Sequence, residues 1–208
     1  MVKKNLKIQV NKKHYSFLKY TKLDRWNSLW YQITEILKLN PKTVLEIGSG
    51  GGIVKEILNL ENIKYHNLDI DEKLNPTYIS DLKNVDIKKK FDCVVAFQVL
   101  EHLPYRYFDL CLKNLNKLSN GYILISLPRF GPYINFKFKL FPFIDINFLK
   151  SIPFRKKIKF DGQHYWEIGG KGYSLKKIKK DISKKFKIIK DYRIKENPYH
   201  QMFILKKK

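Results

Sequence analysis

Between Glu46 and Gly52 an acid and three glycines fall on alternate positions, Glu46, Gly48, Gly50 and Gly52, with Ser49 and Gly51 among them. Glycines at this density let the backbone turn through positive φ and approach a ligand with no Cβ in the way. Placed before a helix, they suit a nucleotide-like cofactor. A second set of reactive residues pairs histidine with carboxylate: Glu101 with His102, and His164 with Glu167. Histidine titrates where a proton can be taken from a hydroxyl, and a neighbouring acid can orient the ring. His102 is the first candidate base and His164 the second. For His102 the plain alternative is a residue that caps or packs a helix start. No histidine–carboxylate spacing matches a metal motif, so no metal is expected.

These residues need elements to hold them. Val44, Leu45 and Ile47 form a short apolar strand, and an amphipathic pattern from Ile53 to about Leu60 forms a helix. The glycines lie in the turn between. A dinucleotide loop wants a third glycine at position 53, which is Ile53, and no Gly-Lys-Ser/Thr comes after the glycines to make a phosphate loop. A tight turn without a ligand is the remaining alternative. The next strand-like run, 63 to 69, ends on Asp69, 21 residues after Gly48, where an acid can meet ribose hydroxyls. Asp71 is a rival for that role, or the N-cap of the next segment. Ile79-Ser80-Asp81-Leu82 is a weaker landmark, since Asp after a strand is usually a turn residue. Phe91 to Phe97 reads as a buried parallel strand and Gly121 to Pro128 as another.

The E-x-G-x-G-x-G spacing resembles motif I of the class I S-adenosylmethionine-dependent methyltransferases, in their small-molecule branch. The string F-D-x-V-x-x-x-x-V-L-E-H-L-P over 91 to 104 resembles the fourth-strand region of the same family. The resemblance is clear from 42 to 128, weaker from 173 to 208, and absent from 1 to 20 and 129 to 160. It implies a Rossmann-like α/β fold: a mostly parallel seven-stranded sheet, an antiparallel C-terminal hairpin and helices on both faces. It implies S-adenosyl-L-methionine as cofactor and S-adenosyl-L-homocysteine as product. Glu46 would serve the methionine end, with Gly48, Ser49, Gly50 and Gly52 along its backbone. Asp69 would hold the ribose, Ile70 would touch the adenine face, and Asp81 with Leu82 would reach the adenine edge. Phe97 and Gln98 would face the cofactor, and Glu101 would open onto the substrate. The expected reaction is in-line O-methylation of a small-molecule, glycan or lipid-linked acceptor. An RNA methyltransferase and a non-catalytic cofactor-binding protein are the alternatives. Phe97-Gln98-Val99-Leu100 stands where an N-P-P-Y-type motif would be, which counts against base amines.

The net charge of +23 suggests nucleic acid at first sight. Lysine outnumbers arginine 37 to 5, however, and Ala96 is the only alanine, a bias that an AT-rich coding sequence produces. Nucleic-acid grips favour arginine for bidentate contacts, so RNA is the weaker partner. Two cysteines, Cys93 and Cys111, fit a reducing compartment. No signal peptide or membrane-spanning run is visible, and a cytoplasmic protein is expected.

The chain reads as one methyltransferase domain over 1 to 208, with an N-terminal extension and helix over 1 to 40. Residues 22 to 39 form that helix, with Trp26, Leu29, Trp30, Ile33 and Leu37 as its buried stripe. Residues 129 to 172 form a long insertion carrying eight of the fourteen phenylalanines, expected as a cap over the strand ends. From 129 to 160 it holds eight Lys or Arg against one acid, Asp145, which suits peripheral contact with an anionic membrane. The alternative is that the phenylalanines make the cap's own core. Tyr165, Trp166 and Glu167 end the insertion and read as a substrate-facing wall, or as a well-bonded loop. Residues 186 to 194 and 200 to 205 read as two final strands. No pattern fixes the oligomeric state.

Overall fold

Alternation of short apolar runs with amphipathic stretches dictates a layered α/β architecture. The computed structural model describes residues 8–10, 12–152, 154 and 156–208. The first residues of the lysine-rich stretch 1 to 20, and Pro153 and Arg155 of the basic insertion, lie outside these. In chain order the elements are α1 (Phe17–Tyr20), α2 (Leu23–Leu37), β1 (Thr43–Ile47), α3 (Ile53–Leu60), β2 (Lys64–Asp69) and β3 (Tyr78–Ile79). They continue as β4 (Phe91–Phe97), α4 (Phe108–Leu118), β5 (Ser119–Pro128), β6 (Tyr133–Leu140) and β7 (Ile144–Ser151). The last are α5 (Leu175–Ser183), β8 (Phe186–Arg193) and β9 (His200–Lys207).

Seven strands form one sheet in the order β3-β2-β1-β4-β5-β9-β8. β1 to β5 run parallel, while β9 lies antiparallel to both β5 and β8. This is the expected Rossmann-like methyltransferase sheet with its antiparallel C-terminal hairpin. Chain order reverses beside β1, whose neighbours are β2 and β4, and ligands bind outside the strand ends at such a point.

Side-chain alternation along the central strands divides the core between the two faces. Leu45, Ile47, Val94 and Ala96 pack with α4, α5 and Trp166 on one face. Val44, Cys93, Val95 and Leu124 pack with Ile33, Ile36, Val54 and Leu58 of α2 and α3 on the other. Both cysteines are buried and unpaired.

α2 departs from the expected stripe. Ile33 and Ile36 are buried, but Trp26 and Trp30 are 44% and 57% exposed. Ser28, Gln32 and Glu35 are buried in their place. Of this polar line, Ser28 and Gln32 border the cleft over the glycine loop, while Glu35 accepts hydrogen bonds from Lys190 and Tyr192 of β8.

The insertion also differs from expectation. β6 and β7 pair only with each other, as a separate two-stranded antiparallel sheet. Phe136, Phe138, Phe141, Phe143 and Phe148 are all exposed, so they do not make a core for the hairpin. It is fastened to the β8–β9 turn by Asn135 Nδ2 to Lys195 O, Asn147 Nδ2 to Glu196 Oε1, and Arg193 Nη1 to Ser151 Oγ.

Candidate active site

β1 delivers Glu46 into the sheet and then breaks at Gly48, which has φ +72°. A Cβ at Gly48 would lie 2.7 Å from Val99 Cγ2, so both the turn and the close approach require glycine. Gly50 (φ +51°) faces Tyr15, whose Cε1 would be 3.2 Å from an added Cβ. Gly52 (φ +77°) precedes α3 with open space around it.

Glu46 is buried and accepts a hydrogen bond from the Tyr65 hydroxyl. Burial pushes its carboxyl up to about 8. A carboxylate in such a place gains most from a cation brought beside it. The cleft above the loop is lined by Glu46, Gly48, Ser49, Gly50, Phe97 and Gln98, all expected from the sequence. It is also lined by Tyr20, Arg25, Ser28, Gln32 and His200, which the sequence reading missed. Arg25 Nη1 donates to Tyr20 Oη at 2.9 Å, and its guanidinium lies 4.0 Å above that ring. Gln32 and Gln98 both donate to Ser126 Oγ, at 3.3 and 3.2 Å. Gln98 holds φ +56°, a conformation unusual for a residue with a side chain and characteristic of functional turns. His200 is buried, its Nδ1 has no partner among the described residues, and burial with the nearby Arg25 charge lowers its pKa to about 3.

Gly52, Asp69, Ile70, Asp81 and Leu82 stand outside the cleft wall. Asp69 Oδ1 accepts from the Asp71 backbone N–H at 3.0 Å, and burial raises its pKa. Asp71 itself caps the turn at 72–74 by accepting from Lys73 N at 3.0 Å, so one of its oxygens is already engaged. Ile70 is half-buried just beyond β2. Asp81 caps the next turn, accepting from Lys83 N at 2.9 Å, and pairs with Lys83 Nζ at 3.2 Å. Leu82, beside it, is 3% exposed, with its side chain packed into the core.

A second group gathers past the end of β4. Glu101 and His102 lie in a turn at 100–102, and the segment around His164 is held against it by Tyr165 N donating to Glu101 O at 2.9 Å. The rings of His102 and His164 are 5.0 Å apart. His102 Nδ1 is 2.8 Å from Gln9 Oε1 and 3.1 Å from Gln163 O. Burial and the neighbouring His164 lower the His102 pKa to about 4. His164 Nδ1 is 2.7 Å from Glu167 Oε1, which also accepts from the Tyr199 hydroxyl. Burial alone would lower the His164 pKa, but the hydrogen bond to Glu167 together with the charges of Glu101, Glu167 and Asp161 outweighs it, and the net direction is upward. Glu101 is fully buried, and both carboxylate oxygens lack a partner among the described residues.

The expected substrate wall is only partly a wall. Trp166 is fully buried, donates Nε1–H to Leu103 O at 3.0 Å, and packs edge-on against Tyr105 and Phe108. It anchors the segment and presents no surface to a substrate. Tyr165 is half-buried and stacks on Phe160 with centroids 4.2 Å apart.

A sheet reversed at β1, a glycine turn with a buried acid before it, and a polar cleft over that turn define a Rossmann-like methyltransferase. A family model described as a methyltransferase domain matches residues 20–165. The chain belongs to that family, and it is a class I S-adenosylmethionine-dependent methyltransferase. Three solved structures share the fold. The 1,6-didemethyltoxoflavin-N1-methyltransferase of Burkholderia thailandensis is 13% identical over 94% of this chain and 86% of its own, with a TM-score of 0.62. The glycopeptide N-methyltransferase MtfA is 11% identical over 88% and 89%, with a TM-score of 0.59. Magnesium protoporphyrin IX methyltransferase from Synechocystis PCC 6803 is 14% identical over 89% and 81%, with a TM-score of 0.58. A sequence comparison with the curated proteins finds no match.

Proposed function

We propose that this chain methylates a hydroxyl of a small-molecule, glycan or lipid-linked acceptor, with S-adenosylmethionine bound over the glycine loop. The observation that carries the cofactor assignment is charge placement. Among the described residues, Glu46 is the one carboxylate and Arg25 the one Lys or Arg on the cleft wall. They complement the α-ammonium and α-carboxylate of an amino-acid end. Gly48 and Gly50, both at positive φ, give the loop the turn that curves under such a ligand. Asp69, at the end of β2, is the ribose-binding candidate. The bound cofactor supplies a methyl group already activated on a sulfonium.

What remains for the protein is to place the acceptor in line, keep water out and remove a proton. The His102–His164 pair supports acceptor activation beyond the cleft. The wall residues Arg25 and His200 stand near enough to this group for charge to be felt between them, Arg25 on Glu101 and His164 on His200. Of the two histidines, His164 is the stronger base because Glu167 holds it. Tyr165 and Glu167 border the same region.

The β6–β7 hairpin supports peripheral contact with an anionic membrane. Phe141 and Phe143 at its tip are each 82% exposed; Lys137 and Lys139 precede the tip on β6, Lys139 paired with Asp145, and Lys150 lies toward the hairpin's base opposite Ile134. No helix among the described residues is long and apolar enough to cross a membrane. A membrane-seated hairpin would bring a lipid-linked acceptor to the protein.

The test is incubation with methyl-labelled cofactor and separated lipid, polysaccharide, small-molecule, protein and RNA fractions. Label in one of the first three is expected. Label in RNA alone would overturn the acceptor class, and cofactor binding without label in any fraction would establish a non-catalytic binder.

A further inference from the structure

Glu101 poses a problem that methyl transfer by itself does not solve. Its side chain is fully removed from solvent, and among the described residues neither carboxylate oxygen has a hydrogen-bond partner. A buried carboxyl left without partners is costly, and native proteins seldom keep one without a reason. What stands beside it is a pair of imidazoles. One ligand atom from each of Glu101, His102 and His164 lies within 4.8 Å of the others. A shared ion bonds such atoms at about 2.0–2.2 Å, so the three would draw in around it from their present spacing.

The surroundings orient both rings. His102 Nδ1 faces the side-chain oxygen of Gln9 and the backbone oxygen of Gln163, two acceptors that place the proton on Nδ1. His164 Nδ1 faces the Glu167 carboxylate, which Tyr199 also steadies. In each ring Nε2 is then the nitrogen with a free lone pair. An outer acceptor on one nitrogen, leaving the other free to ligate, is how proteins hold metal-bound histidines.

We infer that Glu101, His102 and His164 form a binding site for one divalent transition-metal ion. Two imidazoles with one carboxylate suit Zn2+ and its first-row neighbours better than Mg2+ or Ca2+, which prefer oxygen donors. Three protein ligands leave at least one coordination position open, as sites that handle substrate do. The ion would satisfy the orphaned Glu101 oxygens; with both histidines serving as ligands, acceptor activation at this pair would come from the ion lowering the pKa of a bound hydroxyl, its proton leaving to water, in place of a histidine base. The open position would then receive an acceptor oxygen. That last use rests on the methyl-transfer reading, whereas occupancy of the site does not.

The experiment is calorimetric titration of chelator-stripped protein with Zn2+ alone, without cofactor, and then S-adenosylhomocysteine titration of the same samples. One equivalent of Zn2+ should bind to the wild type. Glu101→Gln and His164→Gln should each weaken it at least tenfold while S-adenosylhomocysteine still binds, which shows the variants folded. As a measurement needing no variant, Zn2+ should protect His102 and His164 of the wild type from diethylpyrocarbonate modification. No Zn2+ binding, or binding and protection indifferent to these residues, would overturn the site. Zn2+ binding without any S-adenosylhomocysteine binding would keep the metal site and overturn the methyl-transfer reading instead.

Discussion

Tyr65, on β2, donates its hydroxyl hydrogen bond to Oε2 of Glu46 on the neighbouring β1. That one bond is the polar support for a carboxyl which burial holds near 8, against an ordinary 4.5. Below pH 4.5 the group is protonated in both folded and unfolded chains and has no effect on stability. As pH rises toward 8 the unfolded chain releases the proton and the folded one keeps it, so folded stability falls; above about 8 the penalty is constant. Glu46→Gln should therefore raise the melting temperature of the cofactor-free protein more at pH 8 than at pH 5. The same variant should lose at least tenfold in S-adenosylhomocysteine affinity, because a neutral amide cannot pair with the ammonium. Thermal melts at the two pH values and calorimetry check both halves. A variant that binds as tightly as the wild type removes Glu46 from the site.

Arg25 is expected to hold the carboxylate of the same ligand. A charge-assisted hydrogen bond contributes about 1.5–3 kcal/mol, so Arg25→Met should weaken S-adenosylhomocysteine roughly 10- to 100-fold. Adenosine, which has no carboxylate, should bind wild type and variant alike. Equal losses for both ligands would mean that Arg25 shapes the cleft through Tyr20 instead of touching the amino-acid end.

The glycines should separate by surroundings. Gly52→Ala meets no neighbour within 4 Å, and its only penalty is the positive φ, about 1–2 kcal/mol. Gly48→Ala carries the same penalty and also drives its methyl against Val99 Cγ2, adding about 1–3 kcal/mol of overpacking. Urea denaturation should rank Gly48→Ala below Gly52→Ala. Moving Val99 also shifts the turn that carries Glu101 and His102, so Gly48→Ala should lose transfer activity that Gly52→Ala retains.

The sheet and the glycine loop were legible in the sequence because both are local signals. Val44 to Gly52 and Phe91 to Phe97 carry strand, turn and burial within a few residues. The other wall of the cleft was written differently. Thr21, Arg25, Ser28 and Gln32 recur at intervals of four, three and four, a polar helix face that resembles a solvated one. Nothing local says that this face is covered by the sheet, and the larger Trp26 and Trp30 draw the eye to the wrong side. His102 and His164 are 62 residues apart, so no spacing motif could announce that their rings meet. Trp166 misled through its type. Beside His164 and Glu167 it has the type of a site-lining residue, but its partners Tyr105, in the turn before α4, and Phe108, the first residue of α4, bury it.

The β6–β7 hairpin supplies the last prediction. Phe141 and Phe143 are 82% exposed and contribute almost nothing to the fold, so replacing both with Ser should leave the melting temperature within about a degree or two. Transfer of a phenyl side chain from water into an apolar phase is worth about 1.5–3 kcal/mol. Losing two such insertions should cut binding to phosphatidylglycerol vesicles at least tenfold. Neutral phosphatidylcholine vesicles should bind the wild type weakly, because Lys137, Lys139 and Lys150 then have no anionic surface to meet. Sedimentation with the two vesicle types at two salt concentrations separates the contributions: salt should weaken the lysine part and spare the phenylalanine part. If the wild type stays in the supernatant with both vesicle types, the hairpin is not a membrane contact. Should the double variant keep its methyl-transfer activity on a water-soluble acceptor but lose it on a lipid-linked one, the hairpin acts by delivering the protein to its acceptor's surface.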